Sequence, residues 1–256
     1  MVRDEELAQL LREAARAVQA AVRDQRGRGL SGLRPTQYHA DRVADAAAIE
    51  VLVAGGLQVL SEESGRTGEG QLVCVIDPID GSTNFDRGIP FYSTSMCVLD
   101  ELEMRCSIVV NLATDTWYEA TRGSGATRDG ERIAPSTATR IKGSIVSFSG
   151  FPTRHAGWKQ FRALGSAALE LCAVADGSLD GFAVVGHAHL SPWDYLGGLL
   201  VLDEAGGAAR DLDDAELVEA TTTKRQLCAG GTEVLADELV TFARQLREED
   251  RPTAAT

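Results

Sequence analysis

The sequence predicts an α+β protein, with an antiparallel sheet and its helices in the first half and an α/β arrangement after about Lys142. Three observations carry that expectation. Near the N-terminus apolar residues recur at three- and four-residue spacing, the period of a helix with one buried face. Residues 91–122 hold short runs rich in apolar and β-branched residues, parted by acidic or Asn/Asp turns, which is the pattern of paired strands. Beyond them, helical and strand patterns alternate almost to the C-terminus.

The first helix is expected over residues 5–23, where Leu7, Leu10, Leu11, Ala14, Val18 and Val22 form the stripe and Gly27-Arg28-Gly29 ends the run. A second, Ala-rich helix is expected over 40–53, with Gly55-Gly56 as its C-terminal stop. Two short apolar runs follow, Leu57-Gln58-Val59-Leu60 and Leu72-Val73-Cys74-Val75-Ile76, and both read as strands. Further strands are expected over 93–99, 104–110 and 116–121, and Asp129-Gly130 marks a hairpin. Helix resumes from Gly165-Ser166-Ala167 to Ala175, with a strand over 182–185 and a helix over 193–205. Strands near Ala208 and over 226–229, a helix over 233–247 and a frayed polar tail over 248–256 complete the chain. Residues 1–141 and 142–256 are expected to be two halves of one compact unit, since no repeat or low-complexity linker divides them.

Composition narrows the function. With 44% hydrophobic residues the chain can bury a substantial core. A net charge of −13, from 38 acids against 25 bases, argues against nucleic-acid and anionic-membrane partners, which need basic patches. Only three lysines occur, Lys142, Lys159 and Lys224, so a phosphate ligand would need bound cations rather than a lysine cluster. The five cysteines lie mostly in apolar runs without a CxxC pair and read as reduced core residues. With no stretch of eighteen apolar residues and a charged N-terminus, a soluble, cytoplasmic protein is expected.

The chemistry is concentrated in Asp77-Pro78-Ile79-Asp80-Gly81-Ser82-Thr83, which sets two carboxylates three residues apart after an apolar strand. Hard cations such as Mg²⁺ take oxygen ligands, typically one or two carboxylates with water and phosphate oxygens. The small residues that follow offer backbone N–H groups to an anion if a helix starts there. A plain turn is the rival reading, because Asp-Pro and Asp-Gly pairs are common turn formers. An EF-hand lacks support, since acids at alternate positions and the distal Glu are absent. A phosphatase with an aspartate nucleophile would space its acids two apart.

This string has companions: Ser61-Glu62-Glu63-Ser64 upstream, the Gly165-Ser166-Ala167-Ala168-Leu169 helix start, and Pro192-Trp193-Asp194 leading to Glu204-Ala205-Gly206-Gly207. In order and wording the chain resembles the inositol monophosphatase family of Mg²⁺-dependent, lithium-sensitive phosphatases, from about Asp41 to the region of Gly230. The resemblance implies a layered αβαβα sandwich of the inositol monophosphatase/fructose-1,6-bisphosphatase type, two or three Mg²⁺ ions and a homodimer. It implies that Glu62, Asp77 and the Ile79 carbonyl hold one ion while Asp80 and Asp194 hold another. It also implies catalytic roles for Glu62, Ser82 and Asp41 in orienting an attacking water. The phosphate would lie against Gly81, Ser82 and Thr83, and the alcohol portion against Gly165, Ser166 and Ala167, with Asp80 and Asp194 nearby. Simpler duties compete with these: Asp194 could only cap a helix, and the Glu62-Glu63 pair could be a solvated loop end.

Two departures stand out, the first bearing on the loop over the site, where Tyr38 or His39 would line the mouth, and on a third metal, the second on the substrate. Family members usually carry Val-Thr-x-x-Asp before the second helix, whereas this chain reads Gln37-Tyr38-His39-Ala40-Asp41, keeping only the Asp. An acid that usually precedes the PWD turn is missing from residues 181–193, which offer His187 and His189 instead. The resemblance makes inositol 1-phosphate the default substrate, and the missing acid makes histidinol phosphate, a sugar bisphosphate or a specialised intermediate its alternatives. A metal-binding regulatory protein without turnover is the alternative of another class.

Overall fold

The computed structural model describes residues 3–101 and 103–249. Helices α1 (Asp4–Val22) and α2 (His39–Ala54) come first, then β1 (Gln58–Ser61), β2 (Gly65–Thr67), β3 (Leu72–Asp80) and the short helix α3 (Ser82–Arg87). Strands β4 (Ser93–Asp100), β5 (Glu103–Asn111), β6 (Thr116–Thr121), β7 (Gly125–Arg128) and β8 (Glu131–Arg132) complete an eight-stranded sheet of order β2-β1-β3-β4-β5-β6-β7-β8. The rest of the chain supplies β9 (Ile145–Ser149), β10 (Gln160–Arg162), α4 (Ala167–Ala175), β11 (Gly181–Val184), α5 (Pro192–Ala205), β12 (Ala208–Asp211), β13 (Leu227–Gly230) and α6 (Glu233–Glu249). Its sheet has the order β10-β9-β11-β13-β12.

Strand periodicity dictates the layering. In β3, Cys74 and Ile76 join the core under α1 and α2, while Val75 joins the core on the opposite face; Met96 and Val98 of β4 alternate with Cys97 and Leu99 in the same way. Helices α1 and α2 pack together over one face of the large sheet, and α4 and α5 fill the space between the two sheets. Helix α6 covers the outer face of the small sheet through Leu235, Leu239, Phe242 and Leu246. The layers are thus α, β, α, β, α, and a buried Leu or Val in any of them contributes roughly 1.5–3 kcal/mol.

Three features depart from the expectation. The large sheet is antiparallel except that β1 runs parallel beside β3, because β2 takes the hairpin position on the outer side of β1. Strands β2, β9 and β10 were not expected; they are three to five residues long, too short for a convincing period. The expected tail divides, with Glu248 and Glu249 continuing α6 and residues 250–256 lying outside the described residues. All five cysteines are buried and free, and burial pushes their thiols upward, that of Cys106 to about 12. Among the described residues no helix is long and apolar enough to cross a membrane.

Candidate metal centre and active site

Pairing register brings the first acids together. Parallel pairing sets Ser61 of β1 opposite Ile76 of β3, and the N–H of the next residue, Glu62, donates to the Ile76 carbonyl at 3.2 Å. Glu62 and Asp77 therefore leave adjacent strands side by side. Asp77 and Asp80 are three apart and would point to opposite faces of a regular strand. A bulge corrects this: Asp77 faces Ser95 and Asp80 faces Ser93, so three steps on β3 match two on β4 and both acids emerge on one side. Pro78 occupies the bulge, where no ladder N–H is demanded of it.

Helix α5 delivers the next acid. Asp194 lies in its first turn and its Oδ2 accepts the N–H of Ser191 at 2.7 Å, so it does cap the helix as the simpler reading holds. It also faces the other acids: carboxylate oxygens of Glu62, Asp77 and Asp194 all lie within 4.8 Å of one another. Opposite ligands about 2.1 Å from an octahedral Mg²⁺ stand about 4.2 Å apart, so this donor set fits a hard divalent cation with small side-chain adjustment.

The electrostatics favour the same conclusion. Burial, then the charges of Glu62, Asp80, Asp194 and Asp41, hold the Asp77 carboxyl well above the usual carboxylate range. Asp194 is raised well above that range by burial and by Asp80 and Glu62. Glu62 stands at the mouth with part of its surface open to solvent, yet burial of its carboxylate end and the charges of Glu63, Asp41 and Asp80 push it up to about 7. Asp41 reaches about 6 through burial, opposed chiefly by the Tyr38 N–H. Its Oδ2 accepts the Tyr38 N–H at 2.7 Å, while its Oδ1 is sealed from solvent with no hydrogen-bond partner. Crowded carboxylates and an orphaned buried oxygen are groups that a cation would satisfy.

Asp80 is placed differently. Its Oδ2 accepts the Ser166 hydroxyl at 2.7 Å and the Ala168 N–H at 2.8 Å, tying β3 to the start of α4. Burial raises it to about 6 against these donors. It lines the same cavity as the other acids, of about 400 Å³, together with Ile79, Gly81, Ser82, Gly165, Ser166 and Ala167. Gly81 closes the strand with φ 91°, and a Cβ there would stand 2.9 Å from the Gly165 carbonyl oxygen, so glycine is required on both counts. The Ser82 hydroxyl donates to the Ile79 carbonyl at 2.8 Å rather than to Asp41.

A second cavity of about 230 Å³ adjoins the first across Glu62 and Ser82, and here lie Asp41, Tyr38 and Thr83, the last two with hydroxyls 3.2 Å apart. His187 and His189 line neither cavity; both are exposed, and His189 Nδ1 meets the His187 carbonyl at 3.0 Å. A larger groove of about 570 Å³ near Arg210 and Asp214 lies away from this centre and is flanked by surface ion pairs to Glu233 and Arg244.

Three supporting residues escaped the sequence reading. Asn84 Nδ2 donates to the Phe91 and Leu164 carbonyls, each at 2.7 Å, and pins the loop before α4 onto α3. Buried Asp45 accepts the Ser61 hydroxyl at 2.5 Å and the Ser64 hydroxyl at 3.3 Å, holding the loop that carries Glu62. Its signal was present, since it lies four residues after Asp41 on one helix face. Glu170 is buried inside an otherwise apolar helix and also lines the larger cavity, an isolation that could have drawn notice.

A model of the inositol monophosphatase family matches residues 3–248. A fructose-1,6-bisphosphatase/inositol-1-monophosphatase of Archaeoglobus fulgidus is 40% identical over 195 residues, covering 75% of each chain. The Escherichia coli protein named Nus factor SuhB is 35% identical over 190 residues, 67% of this chain and 70% of its own. The solved structure of an extragenic suppressor protein suhB from Bartonella henselae superposes with a TM-score of 0.80 at 28% identity, covering 93% of this chain and 98% of that one. An inositol monophosphatase from Anabaena gives a TM-score of 0.78 at 25% identity, with 94% and 96% covered.

Proposed function

The chain belongs to the inositol monophosphatase family, and from that premise we propose that it hydrolyses the phosphate monoester of a small polyol or sugar, with inositol 1-phosphate as the default substrate. The observation that carries the reading is the convergence of Glu62, Asp77 and Asp194 in a cavity also lined by Gly81 and Ser82. Glu62, Asp77, the Ile79 carbonyl, Asp80 and Asp194 would hold two or three Mg²⁺ ions. Such ions, when bound, neutralise phosphate oxygens, acidify water and stabilise a leaving alkoxide.

The chain's own groups supply position. The Glu62 carboxylate, at the junction of the two cavities, accepts hydrogen bonds from an attacking water and orients it. The Ser82 hydroxyl is close enough to share that duty, and Asp41 behind it fixes the Tyr38 end of the second cavity. Backbone N–H groups of Gly81 and Ser82, with the Thr83 hydroxyl, are donors for the phosphate oxygens. Gly165, Ser166 and Ala167 border the space for the alcohol portion.

A phosphate-release screen tests this. Inositol 1-phosphate, histidinol phosphate and fructose 1,6-bisphosphate are offered with Mg²⁺, and Li⁺ is then added. Release that needs Mg²⁺ and falls with Li⁺ is expected. Silence on every ester would favour a second reading, suggested by the name of the E. coli relative: a regulatory protein of this fold without turnover. Retention of four crowded carboxylates, each raised by burial, weighs for catalysis. A homodimer in the cytoplasm, acting on a small molecule rather than on nucleic acid or membrane, completes the reading.

A further inference from the structure

A polyol is dense in hydroxyl donors, so a cavity that recognises one needs an acceptor beyond those that serve its phosphate. Outside the acid cluster and the Gly81-Ser82 turn, the wall of the larger cavity includes Phe148, Gly150, Ala163 and Leu190, which offer no side-chain acceptor. Ser149 and Ser166 add hydroxyls, that of Ser166 already donated to Asp80, and Glu170 is the one carboxylate in this part of the wall. It is 1% exposed, in the first turn of α4. Its Oε1 accepts the Ser147 hydroxyl and, at 3.0 Å, the Leu164 N–H. Its Oε2 receives no donor among the described residues, yet is not one of the side-chain atoms sealed from solvent without a partner.

A buried carboxylate with one oxygen satisfied and the other unclaimed is a costly thing to keep beside a cavity. Burial also pushes this carboxyl up to about 7, a cost that a donor reaching Oε2 would relieve. We propose that Glu170 determines specificity by accepting, through Oε2, a hydrogen bond from a hydroxyl of the substrate's alcohol portion. The proposal rests on the phosphatase reading and narrows it to hydroxylated esters.

The rival is a purely structural clasp, in which Glu170 only joins β9 to the loop before α4 through Oε1. Glu170→Gln separates the two. The amide carbonyl can keep both Oε1 donors, while an NH₂ group replaces the free acceptor. With Mg²⁺ present, kcat and KM are measured on phenyl phosphate, which lacks hydroxyls, and on the fastest of inositol 1-phosphate, glycerol 2-phosphate and fructose 1,6-bisphosphate. In E170Q, kcat/KM on the hydroxylated ester should fall about ten- to hundredfold, mainly through KM, while that on phenyl phosphate stays within about twofold. Equal losses on both esters, or none on either, would overturn the proposal and leave the phosphatase reading standing. Wild-type turnover of phenyl phosphate alone would overturn it too. A wild-type protein that releases phosphate from nothing refutes the phosphatase reading and this inference with it. Should E170Q fail to fold, monodeoxy analogues of the same substrate are run on wild type: at least one must raise KM about tenfold, and uniform KM values would refute the contact.

Discussion

Without a divalent cation, the acid cluster should make this protein less stable as pH rises, the reverse of ordinary acid denaturation. Asp41 and Asp80 are 3% and 8% exposed and their carboxyls move from 3.8 to about 6. A carboxyl with a raised folded pKa holds its proton more tightly in the folded chain than in the unfolded one. Its contribution is therefore fully present below the unfolded value near 4 and is lost as pH climbs through about 6. At about 1.4 kcal/mol per pKa unit, each of these two shifts amounts to about 3 kcal/mol at pH 8. About half of each loss has occurred by pH 5, so the two groups together give up about 3 kcal/mol between pH 5 and pH 8. For a chain of this size that corresponds to a melting temperature lower by about 6–12 °C.

Thermal unfolding followed by circular dichroism in EDTA, from pH 5 to pH 8, reads this directly. Mg²⁺ at a fixed concentration, a hundred times its dissociation constant at pH 8, should restore about 2.7 kcal/mol there. The gain should be larger at pH 8, where the ligands are already deprotonated, than at pH 5. A melting temperature that is flat or rising with pH in EDTA, or a Mg²⁺ shift equal at both pH values, would refute the buried-cluster reasoning.

Two further outcomes follow from the same geometry. Asp80→Asn keeps an oxygen for the Ser166 and Ala168 donors while removing a negative charge, so steady-state assays should show kcat lower by at least about a hundredfold, while the melting temperature in EDTA at pH 8 is unchanged or higher. Asn84→Ala strips donors from the Phe91 and Leu164 carbonyls; urea unfolding should report a loss of about 2–3 kcal/mol, and near-wild-type stability would mean that the clasp between α3 and α4 contributes nothing.

Much of this architecture was legible because its signals are local. The stripe of Leu7, Leu11 and Val18 announced α1, and apolar, β-branched runs parted by acidic or Asn/Asp turns announced β4 to β6, whose observed limits lie within one residue of expectation. Strand β9 was not read, although Ser147 separates Val146 from Phe148, because five residues between loops carry too little period to stand out. The acids were legible by resemblance, but their mutual arrangement was not. That arrangement depends on which residue of β1 faces which residue of β3, and on a bulge whose extra residue appears only when β4 is laid beside it.

The spacing of three between Asp77 and Asp80 shows how far a string of residues falls short of a site. On a straight strand it would separate the two carboxylates, and on that ground alone the sequence argues against a shared centre. Pro78 removes a ladder donor at the point where the bulge forms, and Gly81 takes the positive φ that lets the chain turn under the Gly165 carbonyl. With those two residues in place, Asp77 faces Glu62 and Asp194 while Asp80 turns to the start of α4, so one short segment addresses both the acid cluster and the helix that carries Glu170. If the proposed function holds, a change that loosens the bulge should disturb cation binding and substrate choice together, whereas Glu170→Gln should disturb substrate choice alone.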